Sequence, residues 1–196
     1  MPPDIAREKS QLRITIRDQM VALTPAIRGA ASVAVCLRLK QQAFFRNAAA
    51  RLFFAPLPGE INIWPLLEET LATGGPLALP RFNPVTQCYG ASLITNLATD
   101  LIIGPYELRE PSAACPTVSL EEFDLILVPG VGFDTRGNRL GRGKGYYDRM
   151  LSTTRGYKCG VGFEEQMVKE IPATAHDIRM DSVITPNQRF DFGQIE

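Results

Sequence analysis

Phe123-Asp-Leu-Ile-Leu-Val-Pro-Gly130 is the run on which the fold turns. Leu125 to Val128 are apolar without alternation, and a proline and a glycine close the run. A strand with one wet face alternates apolar and polar residues, so an unbroken run predicts a central strand covered on both sides. Downstream, a turn is expected around Arg136-Gly137-Asn138, a helix from Gly145 to about Ser152, and strands at Lys158–Phe163 and Ser182–Thr185. Upstream, Arg51–Pro56 reads as a short buried strand. Pro58-Gly59 marks a loop, and Trp64–Ala72 reads as a helix closed by Gly74-Gly75. Leu77–Pro80 is a further strand, with Thr86–Ser92 pairing beside it. Asn96–Thr117, with three prolines, reads as irregular. At the N-terminus, Leu12, Ile16, Met20 and Leu23 form an apolar stripe on a helix from Arg7 to Leu23. Thr24-Pro25 then caps a second helix running to about Asn47, so an antiparallel helical pair is expected. Strands alternating with helices predict one α/β domain over residues 1–196 with a largely parallel sheet.

Composition narrows the function. The 196 residues hold 21 basic and 21 acidic side chains, a net charge of zero. That argues against coating nucleic acid or an anionic membrane by bulk charge. Arginine outnumbers lysine 16 to 5, a bias that high genomic GC content produces and that also suits planar recognition of phosphate and carboxylate; the count does not choose between them. Cys36, Cys88, Cys115 and Cys159 are widely spaced, and the sole histidine is His176, so a zinc site is not expected. Nothing resembles a signal peptide, and no run reaches the ~18 apolar residues of a membrane span. A cytoplasmic protein is expected.

The chemistry concentrates in Asp134-Thr-Arg-Gly-Asn-Arg-Leu-Gly-Arg-Gly-Lys-Gly-Tyr-Tyr-Asp-Arg149, which holds five basic and two acidic residues. Glycines at 137, 141, 143 and 145 let backbone N–H groups turn toward an anion. The segment opens a helix, whose free N–H groups favour phosphate. Arg139, Arg142 and Lys144 add full charges. The segment is neither a Walker A loop, since Gly145 follows Gly143-Lys144, nor a G-x-G-x-x-G fingerprint, since Tyr146 takes the last position. A solvated glycine-rich hairpin is the plain alternative.

Val128-Pro-Gly-Val-Gly-Phe-Asp134 followed by Gly137-Asn-Arg-Leu-Gly-Arg-Gly-Lys-Gly-Tyr-Tyr-Asp148 resembles the signature of the 5-formyltetrahydrofolate cyclo-ligase family. Lys9-Ser-Gln-Leu-Arg13, Pro58-Gly-Glu-Ile61, Leu79-Pro-Arg-Phe82, Phe163 with Gln166, His176-Asp177 and Ile184-Thr185 resemble further family elements in order. The resemblance implies a three-layer α/β/α sandwich and an ATP- and Mg2+-dependent ring closure of 5-formyltetrahydrofolate to 5,10-methenyltetrahydrofolate. ATP phosphorylates the formyl oxygen, N10 attacks the activated carbon, and ADP and phosphate leave. It implies ATP contacts at Lys9, Arg13, Arg139, Leu140, Gly141, Arg142, Gly143, Lys144, Gly145, Tyr146 and Tyr147. It places folate contacts at Ala55, Glu60 and Tyr147, with magnesium at Asp148 and Asp177. Arg142 and Lys144 are the catalytic candidates, because phosphoryl transfer rests on placement and charge neutralisation. His176 is expected to be structural, and Trp64 to pack on protein.

Two other functions compete: an RNA-binding relative that uses the basic loop without turnover, and a kinase or ligase acting on another small acid. The intact Glu60 segment and both aspartates favour the folate reading. The expected partner is a small molecule, with no nucleic acid and no membrane, on a monomer or weak homo-oligomer.

Overall fold

The computed structural model describes residues 4–104 and 108–193. Two helices open the chain, α1 (Ile5–Val21) and α2 (Pro25–Gln41), followed by the short α3 (Ala43–Asn47). Strand β1 (Arg51–Leu52), α4 (Trp64–Ala72) and strands β2 (Leu77–Asn83) and β3 (Cys88–Ile94) come next. Then follow β4 (Leu101–Ile103), β5 (Arg109–Pro111), β6 (Thr117–Val118) and β7 (Leu125–Pro129). The C-terminal part holds β8 (Gly132–Asp134), β9 (Arg139–Leu140), α5 (Tyr146–Leu151), β10 (Tyr157–Val161), β11 (Met167–Val168), β12 (Ser182–Ile184) and β13 (Arg189–Asp191).

Eight strands form the main sheet in the order β13-β12-β10-β7-β1-β2-β3-β6. The five from β12 to β2 run parallel, and antiparallel strands extend both edges. The expected central strand is β7, bonded to β10 over five residues and to β1 on its other side. Its side chains alternate between two cores. Leu125 and Leu127 join a cluster with Val35 and Leu39 of α2 and Leu66 and Leu67 of α4. Ile126 and Val128 join a cluster with Met150 and Leu151 of α5. All four are at most 1% exposed, which is why no polar residue interrupts the run. The sheet therefore lies between helices on both faces, as expected. Leu127→Ala would remove packing worth about 3 kcal/mol.

Several local expectations change. The first two helices do not pack antiparallel; the chain turns by 106° between them. The second helix stops at Gln41, because Gln42 is extended at ψ 138°, and Gln42 then stands as the N-cap of α3. Only Arg51–Leu52 of the expected Arg51–Pro56 strand pairs on both sides, although Phe53 to Ala55 stay buried. Asn96–Thr117 holds an antiparallel ribbon, β4 against β5, where no regular structure is expected from its prolines. Residues 105–107 of that stretch lie outside the described residues.

The order of the parallel strands creates the site. From β1 the chain moves to β2 on one side and later to β7 on the other, so the direction of winding reverses between β1 and β7. Loops leaving the carboxyl ends of two such strands diverge and leave a crevice.

Candidate functional site

That crevice is a cavity of about 490 Å3. Ala55, Leu57, Pro58 and Glu60 follow β1, and Pro129, Gly130 and Val131 follow β7. The opposite wall is the glycine segment: Arg139, Gly141, Arg142, Lys144, Gly145, Tyr146, Tyr147 and Asp148. Tyr89 of β3 and Leu108 complete it.

The segment from β8 to α5 is shaped by a buried carboxylate. Asp134, 0% exposed, accepts from the N–H groups of Arg136, Asn138 and Ile171 and from the Asn138 amide, each at 2.9 Å. Four donors satisfy a charge that would otherwise be costly to bury. They fix the turn that sends Arg139 back beside β8. Gly143 and Gly145 have φ of +97° and +65°, a region that side chains with a Cβ avoid. Gln166 braces the opposite lip: its amide donates to the carbonyls of Gly130 and Val131 and accepts from Phe163 N–H.

Three charge pairs organise the surroundings. Arg139 is 4% exposed and donates to Asp148 at 3.0 Å, with its guanidinium 5.4 Å from the Tyr147 ring centre. Its Nε is buried with no hydrogen-bond partner among the described residues. Arg142 reaches across the crevice and donates to Glu60 Oε1 at 3.0 Å, while Glu60 Oε2 accepts from Leu57 N–H. Lys9 lies 2.6 Å from both oxygens of Asp177. Arg13, one helical turn along α1, donates to the Gly141 carbonyl at 2.8 Å. Burial lowers the Arg13 pKa below its ordinary value, an effect that nearby Asp177 partly offsets. Burial acts against ionising Asp177 as well, but hydrogen bonds from Lys9 and Thr174 outweigh it and hold its carboxyl below the usual range. The Tyr147 hydroxyl is pushed up by burial, with Glu60 and Tyr89 adding to the shift and Arg139 and Arg142 opposing it.

The predicted residues thus divide into three groups. Ten of them, Ala55, Glu60, Arg139, Gly141, Arg142, Lys144, Gly145, Tyr146, Tyr147 and Asp148, line one cavity. Lys9, Arg13 and Asp177 form an adjoining charged cluster joined to the segment through Gly141 and are not on the cavity wall. Leu140 points away, packed with Ile16 and Ile171, and Gly143 faces the Arg13 guanidinium with the side where a Cβ would stand. Trp64 lies outside the cavity, against the core and under Arg109. His176 is exposed, and its N–H reaches Thr174. Sequence reasoning missed Tyr89: nothing at its own position distinguishes it from an ordinary strand aromatic.

No cluster of three or more His, Cys, Asp or Glu side chains suited to a metal occurs among the described residues. Asp148 on the cavity wall and Asp177 in the adjoining cluster offer hard carboxylate oxygens of the kind magnesium takes, and each is committed here to a salt bridge, with Arg139 and with Lys9. All four cysteines are free; burial pushes the thiols of Cys36 to about 11 and Cys159 to about 12, so both are inert at neutral pH. No single helix among the described residues is long and apolar enough to cross a membrane.

A model of the 5-formyltetrahydrofolate cyclo-ligase family matches residues 5–186. The chain is 28% identical to 5-formyltetrahydrofolate cyclo-ligase of Escherichia coli K12, over 90% of this chain and 100% of that one. It is 30% identical to the Mycolicibacterium smegmatis protein of the same name, over 93% and 95%. The solution structure of Aquifex aeolicus 5,10-methenyltetrahydrofolate synthetase superposes with a TM-score of 0.85 at 31% identity, covering 96% of this chain and 94% of that one.

Proposed function

The chain belongs to the 5-formyltetrahydrofolate cyclo-ligase family, a family of folate-metabolism ligases, and from that premise we propose how its crevice works. The reaction is the ATP- and Mg2+-dependent closure of 5-formyltetrahydrofolate to 5,10-methenyltetrahydrofolate. A phosphoryl group moves to the formyl oxygen as ADP leaves. Folate N10 then attacks the formyl carbon and gives up its proton, and phosphate departs with the former formyl oxygen.

One observation carries this reading: Arg142 and Glu60, from loops remote in sequence, meet across a single cavity. Glu60 faces the cavity with Oε1, and a carboxylate there can accept two N–H groups from an aminopyrimidinone edge. Tyr89, Tyr146 and Tyr147 offer flat apolar walls to a pterin ring. Arg139, Arg142 and Lys144 converge from the opposite wall, where the transferred phosphoryl needs neutralising charge. The unpartnered Arg139 Nε is a donor held out of water beside that place. Lys9 and Arg13 take the distal phosphates, fixed by Asp177 and the Gly141 carbonyl. Asp148 and Asp177 would join a nucleotide-bound magnesium, each giving up part of its salt bridge to Arg139 or Lys9. Bound there, magnesium would neutralise phosphate charge.

Supplying purified protein with 5-formyltetrahydrofolate, ATP and magnesium tests the reading. Methenyl absorbance is expected to grow, and to require both ATP and the metal. ATP turnover without folate, or binding of RNA without turnover, would favour the competing functions.

A further inference from the structure

Arg28 lies on α2, outside the cavity, yet its guanidinium ties the end of α1 to a loop that lines the cavity. Nη1 donates to the Gly59 carbonyl at 3.0 Å, in the loop that presents Glu60. Nε donates to the Leu23 carbonyl at 3.1 Å, and Nη2 to the Met20 carbonyl at the end of α1. The planar group also stands 5.5 Å from the ring centre of buried Phe163, whose N–H is bonded to the brace Gln166.

The placement has a physical reason. The last turn of α1 holds no basic residue, so its exposed carbonyls and negative dipole end lack a cation of their own. Arg28 supplies that charge from the next helix and has one donor left for Gly59. Four residues on, Ser32, 6% exposed, accepts from the Asn62 N–H at 3.0 Å. The Glu60 loop is thus gripped on both sides of Glu60 by neighbouring turns of α2.

We infer that Arg28 and Ser32 are positioning residues that set the Glu60 carboxylate for substrate, an assignment that rests on the folate reading of the cavity. Lysine cannot substitute fully for Arg28, since one ammonium on a flexible stem cannot hold three carbonyls from two segments in a fixed plane. The effect is selective. The nucleotide end of α1 has its own anchors, Lys9 to Asp177 and Arg13 to Gly141, so loosening α2 from the loop falls on Glu60.

The test measures KM for both substrates in R28M, R28K and S32A, with thermal melting to establish folding. R28M keeps the apolar stem over Phe163 and removes the donors. R28M and S32A are each expected to raise KM for 5-formyltetrahydrofolate about 10-fold, the scale of a lost charge-assisted or buried hydrogen bond, with KM for ATP moving less than about twofold. R28K is expected between R28M and the wild type. Folded variants with an unchanged folate KM, or with equal rises in both KM values, would overturn the assignment. If R28M does not fold, S32A alone decides it. Wild-type protein that makes no methenyl product would remove the cyclo-ligase reading and the positioning role with it. An active wild type with unmoved variants would remove the positioning role alone.

Discussion

Two arginines three residues apart behave as opposites. Arg139 is paired with Asp148 with side-chain exposures of 3% and 22%; Arg142 is paired with Glu60 at 63% and 14%. Arg139 sits in strand β9, beneath the Tyr147 ring, and its partner is on α5. Arg142 lies past the strand, in the glycine segment, and bridges open space to a loop that follows β1. A buried pair holds elements in register, and losing one partner strands a charge. The second pair is open on its arginine side only; a salt bridge with one member in water contributes little, and Glu60 keeps the Leu57 N–H when Arg142 turns to a ligand. The same residue type is therefore buried within the wall in one place and exposed at the cavity in the other.

The most disruptive way to probe this contrast is R139A. It leaves Asp148 partly buried without its partner and is expected to cost about 3 kcal/mol in chemical denaturation, along with most activity. R142A is the counterpart: stability within about 1 kcal/mol of wild type, but turnover lower by more than about tenfold. If R139A were as stable as R142A, burial would not separate the two roles. A smaller effect concerns acid stability. The folded Asp177 carboxyl titrates below its unfolded value, so the unfolded chain takes up this proton first as pH falls. The pair with Lys9 therefore contributes stability above the ordinary aspartate pKa and loses it as pH drops through the lower folded value. D177N is expected to flatten the acid limb of a stability–pH profile in that window; an unchanged limb would show that Lys9 does not hold this carboxylate. Smallest of all is R136A, which removes the exposed pair with Glu170 and is expected to change stability by less than about 0.5 kcal/mol.

The contrast also marks how far sequence reasoning reaches. The β7 run declared its place because burial on both faces leaves no polar residue in it. The glycine segment stood out because charge and φ freedom coincide there, and the structure puts most of it on one cavity wall. The partition between Arg139 and Arg142 was not legible, since burial depends on which strand passes over which side chain, and the two residues look alike in the chain. The β4–β5 ribbon was hidden because its short strands carry little periodicity and Pro111 closes one of them. Arg28 gave no local sign of a role, because the helix end it caps belongs to another element.

Arg142 and Glu60 face one another across the cavity, and in the proposed reaction that cavity closes the folate ring. Parallel assays of wild type and R142A, following methenyl absorbance and ADP release together and checking folding by thermal melting, test it most directly. Methenyl product and ADP are expected in equal amounts from the wild type, with both collapsing in an R142A protein that melts like the wild type. A folded wild type that forms no methenyl product, or R142A turning over at the wild-type rate, would contradict it.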